Sequence, residues 1–143
     1  MQSLKGEDGG RFMYHHYNDD GLRVWRITGE EPTFNKNDDI LISNPHLIYF
    51  SQSGNTHINA LSALFRVSGN SIHMEGNVMA SNIKDFALSS QQAEFFMQEK
   101  KIRFPKQFKA KHEMTYLDCS KGEYFIEDST FFASGNSQLI YYP

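Results

Sequence analysis

Residues 72–80 read "IHMEGNVMA", and the fold turns on whether Gly76-Asn77 is a hairpin turn or the middle of a single strand. If the chain runs straight through, Ile72, Met74, Gly76, Val78 and Ala80 share one face and the alternation never slips. A turn at Gly76-Asn77 would leave only Val78, Met79 and Ala80 to pair back, too few for a useful strand. The stretch therefore reads as one continuous strand with a side chain missing from its inward face. A glycine inside a strand marks a bend, a bulge or something lying close against the backbone.

Working outward, segments of similar length recur. "ITGEEPTF" from Ile27, "ISNPHLIYF" from Ile42, "INALSALF" from Ile58 and "LSSQQAEFF" from Leu88 each open on Ile or Leu followed by a small polar residue. Each has an aromatic seven positions on, namely Phe34, Tyr49, Phe65 and Phe95. The starts are 15, 16 and 30 residues apart, so one period lacks a copy, and that gap holds "IHMEGNVMA". A looser fifth copy, "FKAKHEMTY", runs from Phe108 to Tyr116. The intervening "NKNDD", "SQSGN", "SGN", "QEKK" and "DCSKGE" have hairpin-turn compositions. No stretch carries sustained helical periodicity. A separation of seven is odd, so the first residue and the aromatic of each copy cannot share a face of an ideal strand, and a bulge or corner must lie between them. Pro32, Pro45 and Pro105 fall mid-strand, where proline is tolerated only at edges or bulges. Long kinked strands predict an all-β protein, an antiparallel twisted sheet folding over on itself as a jelly roll or open V-shaped meander.

The 143 residues suit one domain with a real core. A net charge of −3 argues against general nucleic-acid binding, which shows as a basic surplus. The single cysteine, Cys119, cannot form an intrachain disulfide and reads as a small buried hydrophobe. There is no apolar run of about 18 residues to cross a bilayer as a helix. The polar, Gly-rich start is expected to be a flexible tail over 1–11, with a single β domain over 12–143.

With these residues in place, the chain resembles the LptC family of OstA-type domains in lipopolysaccharide transport. The likeness rests on Trp25-Arg26-Ile27, the long hairpin over residues 40–65, Gly76-Asn77-Val78 and the strand from Leu88 to Phe95. It covers roughly residues 12–134. The resemblance implies a periplasmic protein tethered to the inner membrane through an anchor absent from this chain. It implies a trough for lipid A acyl chains that receives lipopolysaccharide from the inner-membrane extractor and passes it to an LptA-like bridge. LptF/LptG-like transporter subunits and the bridge would be partners through edge-strand pairing. No reaction, cofactor or metal is implied. An LptA-like soluble bridge and a lipocalin-like binder of small hydrophobic ligands are the alternatives.

The candidate trough residues are Phe34, Leu47, Tyr49, Phe65, Met74, Gly76, Val78, Phe95 and Met114. For most of them an ordinary packed core is the stronger reading, and both hold where a trough is core at its base and site at its mouth. Gly76 either leaves room for an acyl chain or simply permits strong local twist. The basic run "KKIRFPKQFKAKH" offers Lys101, Arg103, Lys106 and Lys109 as contacts for phosphates or an anionic membrane surface. It reads also as a solvated strand whose lysines guard an edge. His15-His16, His73 and Glu75, and His112-Glu113 match no standard metal spacing. No nucleophile or phosphate-loop motif is present, which argues against an enzyme. Unpaired edges are expected near Leu22–Thr28 and Gln138–Tyr142.

Overall fold

The computed structural model of the chain describes residues 2–7, 11–52, 54–82 and 86–141. It is all β. The strands are β1 (Gln2–Glu7), β2 (Arg11–Tyr17), β3 (Arg23–Phe34), β4 (Asp39–Tyr49), β5 (Thr56–Asn59) and β6 (Ser62–Arg66). They continue as β7 (Ser71–Asn82), β8 (Phe86–Phe96), β9 (Lys101–Phe104), β10 (Phe108–His112), β11 (Thr115–Phe125) and β12 (Thr130–Tyr141). Together they form one antiparallel sheet, and β5/β6 and β9/β10 act as two halves of broken strands. Thus β4 pairs with β6 through residues 39–43 and with β5 through 46–49. Similarly, β11 pairs with β10 through 115–119 and with β9 through 122–125.

The breaks line up across the sheet as one corner. Register shifts fall at Glu30/Thr33 in β3, Glu75/Val78 in β7 and Cys119/Lys121 in β11 against β12. Residues in the left-handed region sit there, including Glu31 (φ 50), Asn44 (φ 50), Gly76 (φ 84) and Gly135 (φ 77). Pro32 and Pro45 lie at these bulges and Pro105 in the gap between β9 and β10. The corner is stitched by Asn44 N–H to the Leu61 carbonyl and Leu61 N–H to the Gly76 carbonyl, both 2.9 Å. The long strands β3, β4, β7, β8, β11 and β12 thereby divide between two walls that fold face to face. This accounts for the odd spacing of the repeat: Ile27 and Phe34, Ile42 and Tyr49, Ile58 and Phe65, and Leu88 and Phe95 stand on opposite sides of the corner.

Residues 72–80 do belong to one strand, and Gly76-Asn77 is its bulge. Three expectations are corrected. Within the expected tail, Gln2–Glu7 pairs residue by residue with β2, because an unpaired β2 offers backbone groups that a polar strand can satisfy; Met1 and residues 8–10 lie outside the described residues. The strand from Leu22 to Thr28 is no edge, since β2 pairs with it on the side away from β4. The segment from Phe108 to Tyr116 is not a kinked strand but the β10–β11 hairpin, turning through Glu113 (φ 54). The edges among the described strands are β1 and β12, which do not pair with each other, so no closed lipocalin-like barrel forms. Tyr142 of the expected terminal strand lies outside the described residues.

Candidate functional site

Cross-strand partners point to the same side of a sheet, so the register alone traces two apolar ladders on the facing walls. In one wall the ladder runs Tyr14, Ile27, Leu47, Ile58, Ala80, Leu88, Ala110, Leu117 and Leu139. In the other it runs Phe34, Ile40, Phe65, Ile72, Phe95, Ile102, Tyr124 and Phe131. The middle of both ladders is buried. Trp25 closes the seam between them, stacked on Tyr14 at 5.3 Å and edge-on to Phe65 at 5.8 Å and Phe95 at 6.0 Å. Such aromatic pairs add about 0.5–1.5 kcal/mol each beyond the area they bury.

Of the sequence-predicted site residues, Leu47, Tyr49, Phe65, Met74, Val78 and Phe95 converge on this seam and are buried. The seam is packed rather than an open trough. Phe34 faces inward as the partner of Ile40, yet is 55% exposed, because β2 stops at Arg11 opposite Glu30 and leaves the end of β3 uncovered. Met114, expected inward, is 55% exposed because it sits in the β10–β11 turn. Gly76 leaves no void. A Cβ built on it would meet the Leu61 side chain at 2.8–3.0 Å, so Leu61 occupies the space that the glycine vacates. The positive φ supports the bulge reading. Reasoning from the repeat missed Tyr14 and Tyr124, although alternation in "FMYHHY" and "GEYF" carries both.

The basic run splits. Lys101 pairs with Glu123 at 2.6 Å and Arg103 with Glu94 at 2.9 Å, on the outer face, while Ile102 and Phe104 are buried. Lys106 and Lys109 make no ion pair among the described residues. They line a cleft of about 750 Å³ at the corner, with Val78 and Phe108 in its wall.

Opposite the corner, the turns of the two walls meet at a mouth. One wall supplies the β2–β3 and β4–β5 turns, and the other supplies the β8–β9 and β11–β12 turns. They enclose a cleft of about 720 Å³ with Arg23, Trp25, Tyr49, Phe50, Met97, Lys100 and Glu127 in its lining. The Tyr49 hydroxyl donates to Glu127 Oε1 across the mouth at 2.8 Å, and Asn82 Nδ2 donates to the Tyr124 hydroxyl at 3.1 Å. Lys100 Nζ stands 3.2 Å from the same Glu127 oxygen. Tyr49 and Lys100 together hold the Glu127 carboxyl below the usual carboxylate range. Burial, then the Glu127 bond, push the Tyr49 hydroxyl upward. Nothing in the sequence signalled this constellation, since its members come from strand ends and turns far apart in the chain.

On the outer face, His46 Nε2 and His57 Nδ1 are 3.0 Å apart with their rings stacked. Burial, then His57 and Arg26, depress the His46 pKa. Cys119 is buried, which pushes its thiol up. Among the described residues no group of three His, Cys, Asp or Glu could hold a metal ion.

A family model described as lipopolysaccharide-assembly, LptC-related, matches residues 9–113. Comparison with curated proteins gives no match. Among solved structures, the chain is similar to LptH of Pseudomonas aeruginosa, an LptA-homologous periplasmic component of the lipopolysaccharide transport device. The TM-score is 0.66 at 11% identity, covering 83% of this chain and 95% of that one, a likeness of fold. Because the family match spans well over half of the chain, the protein belongs to the LptC-related family of lipopolysaccharide-assembly proteins.

Proposed function

We propose that this domain carries lipopolysaccharide by admitting acyl chains between its two walls, accepting the lipid at the inner membrane and passing it along the ladder to a bridge protein docked at β12. A role in lipopolysaccharide transport follows from the family, whose members are periplasmic and non-enzymatic. The observation that carries the finer reading is the course of the first ladder. It stays apolar from Ile27 to Leu139 and emerges, uncovered, at the open β12 edge, where Leu139 is 66% exposed. An apolar row ending at an unpaired edge suits a neighbour whose own sheet continues it by strand addition. Each acyl CH₂ removed from water contributes about 0.8 kcal/mol, so no special polar group is needed for useful affinity. LptF/LptG-like subunits would dock at the other end of the sheet, and an inner-membrane anchor in the native protein would hold the domain near the extractor.

The test titrates lipopolysaccharide into the protein while following Trp25 emission, and measures transfer to an LptA-like acceptor. Saturable binding is expected for wild type. Leu139→Asp, on the exposed edge, should bind as well but transfer poorly. Absence of saturable binding by the folded protein, or undiminished transfer by Leu139→Asp, would overturn the reading.

A further inference from the structure

The mouth cleft combines features that the apolar seam lacks. Arg23 lies over the Phe50 ring, its guanidinium carbon 4.3 Å from the centroid, and makes no ion pair among the described residues. A guanidinium held against a ring face keeps its N–H fork directed outward, the geometry that takes an oxyanion through two parallel bonds. Lys100 is fixed at the base of its turn, with a left-handed backbone (φ 56) and a carbonyl accepting Ile126 N–H at 3.1 Å. Its ammonium has one carboxylate neighbour, Glu127, and donors to spare. Val24, Trp25 and Met97 add apolar side chains to the same lining, and Trp25 leads into the seam. His16 in the same lining is stacked on Trp25, and burial depresses its pKa, so it adds no charge at neutral pH. The two cations therefore outnumber the single carboxylate, Glu127. By contrast, Lys101 and Arg103 already have carboxylate partners.

We propose that the mouth cleft is a binding site for a phosphate-class oxyanion, gripped by Arg23 and Lys100, with Glu127 as the internal competitor for Lys100. The site deepens the reading above and rests on it: an amphiphile whose tail enters past Trp25 leaves its anionic headgroup between these two cations. A bound anion draws Lys100 from Glu127 and weakens the anchorage of the Tyr49–Glu127 bond that spans the mouth, so headgroup recognition and separation of the walls are coupled.

The experiment compares dodecyl phosphate, dodecyl maltoside and inorganic phosphate, with both detergents below their micelle concentrations, by calorimetry and Trp25 emission. The variants are Arg23→Gln, Lys100→Gln, Glu127→Gln and, as a control of equal charge change at the corner, Lys121→Gln. Circular dichroism checks each fold. Dodecyl phosphate should bind more tightly than the maltoside, and Arg23→Gln and Lys100→Gln should each weaken it about tenfold, the loss of one charge-assisted contact. Glu127→Gln should strengthen it, and Lys121→Gln should leave it unchanged. Equal binding of the two detergents with Arg23→Gln silent overturns the anion site and leaves the apolar seam standing. An equal loss in Lys121→Gln overturns it in favour of diffuse charge attraction. Binding of inorganic phosphate that depends on Arg23, with neither detergent bound, supports the site as one for a free anion and sinks the seam reading. No binding of any probe sinks both.

Discussion

Replacing Gly76 by alanine tests the corner directly. Gly76 holds φ at 84°, and the added methyl would meet three atoms of the Leu61 side chain at 2.8–3.0 Å. A left-handed backbone costs an L-residue roughly 1–2 kcal/mol. Leu61 is 56% exposed and can swing towards solvent, at about 0.5–1.5 kcal/mol if it leaves its rotamer well. Against this, alanine lowers the entropy of the unfolded chain and returns about 0.4–1 kcal/mol. The net loss is about 0.5–3 kcal/mol, centred near 2, or a fall in Tm of roughly 2–10 °C for a domain of this size. Thermal denaturation followed by circular dichroism reads it. Leu61→Ala in the same chain should restore the steric part and leave the backbone part. Lipopolysaccharide affinity below the melting range should be unchanged, because the methyl points at Leu61 and not into the seam. A Tm equal to wild type would refute the strain argument. Lost affinity in a fully folded variant would refute the placement of Gly76 outside the lipid path.

Gly122→Ala should be worse, because its methyl would meet the buried Phe108 ring at 2.6 Å and the Phe132 carbonyl oxygen at 2.7 Å. A buried ring and a backbone oxygen cannot both retreat, so a loss above about 2 kcal/mol is expected in urea denaturation. Tyr49→Phe removes the bond to Glu127 without leaving a buried orphan, since that carboxylate reaches solvent; about 1 kcal/mol of stability should go, with faster lipid uptake in stopped-flow Trp25 emission. Unchanged uptake would show that the mouth does not gate the seam. The His46–His57 pair sets a pH dependence. The His46 pKa is lower folded than unfolded, so its contribution is fully present above the ordinary histidine value near 6.5 and is lost as pH falls through the folded value. Tm should decline on acidification below about pH 6.5, and His46→Gln should flatten part of that decline; an identical pH profile would remove the pair from the explanation.

What the sequence by itself determined is local and periodic. Alternation through Gly76-Asn77 established a single strand, and the odd spacing from Ile27 to Phe34, and in the copies at Ile42, Ile58 and Leu88, required a kink within each strand. Pro32, Pro45 and Pro105 marked where the kinks fall, because each lacks a donor the ladder would need. Those facts yield long antiparallel strands folded at a common corner, and they select Leu47, Phe65, Met74, Val78 and Phe95 as inward. Coverage was decided only by the tertiary structure. Phe34 has the same pattern as Phe65, yet one is exposed and the other buried, because inwardness belongs to the strand whereas burial depends on what lies opposite. The pairing of Gln2–Glu7 was likewise invisible, since it depends on the edge that β2 offers. The mouth is the furthest from the sequence: Arg23 and Tyr49 end two strands, Lys100 and Glu127 sit in two turns, and only the folding of one wall onto the other brings them into one cleft.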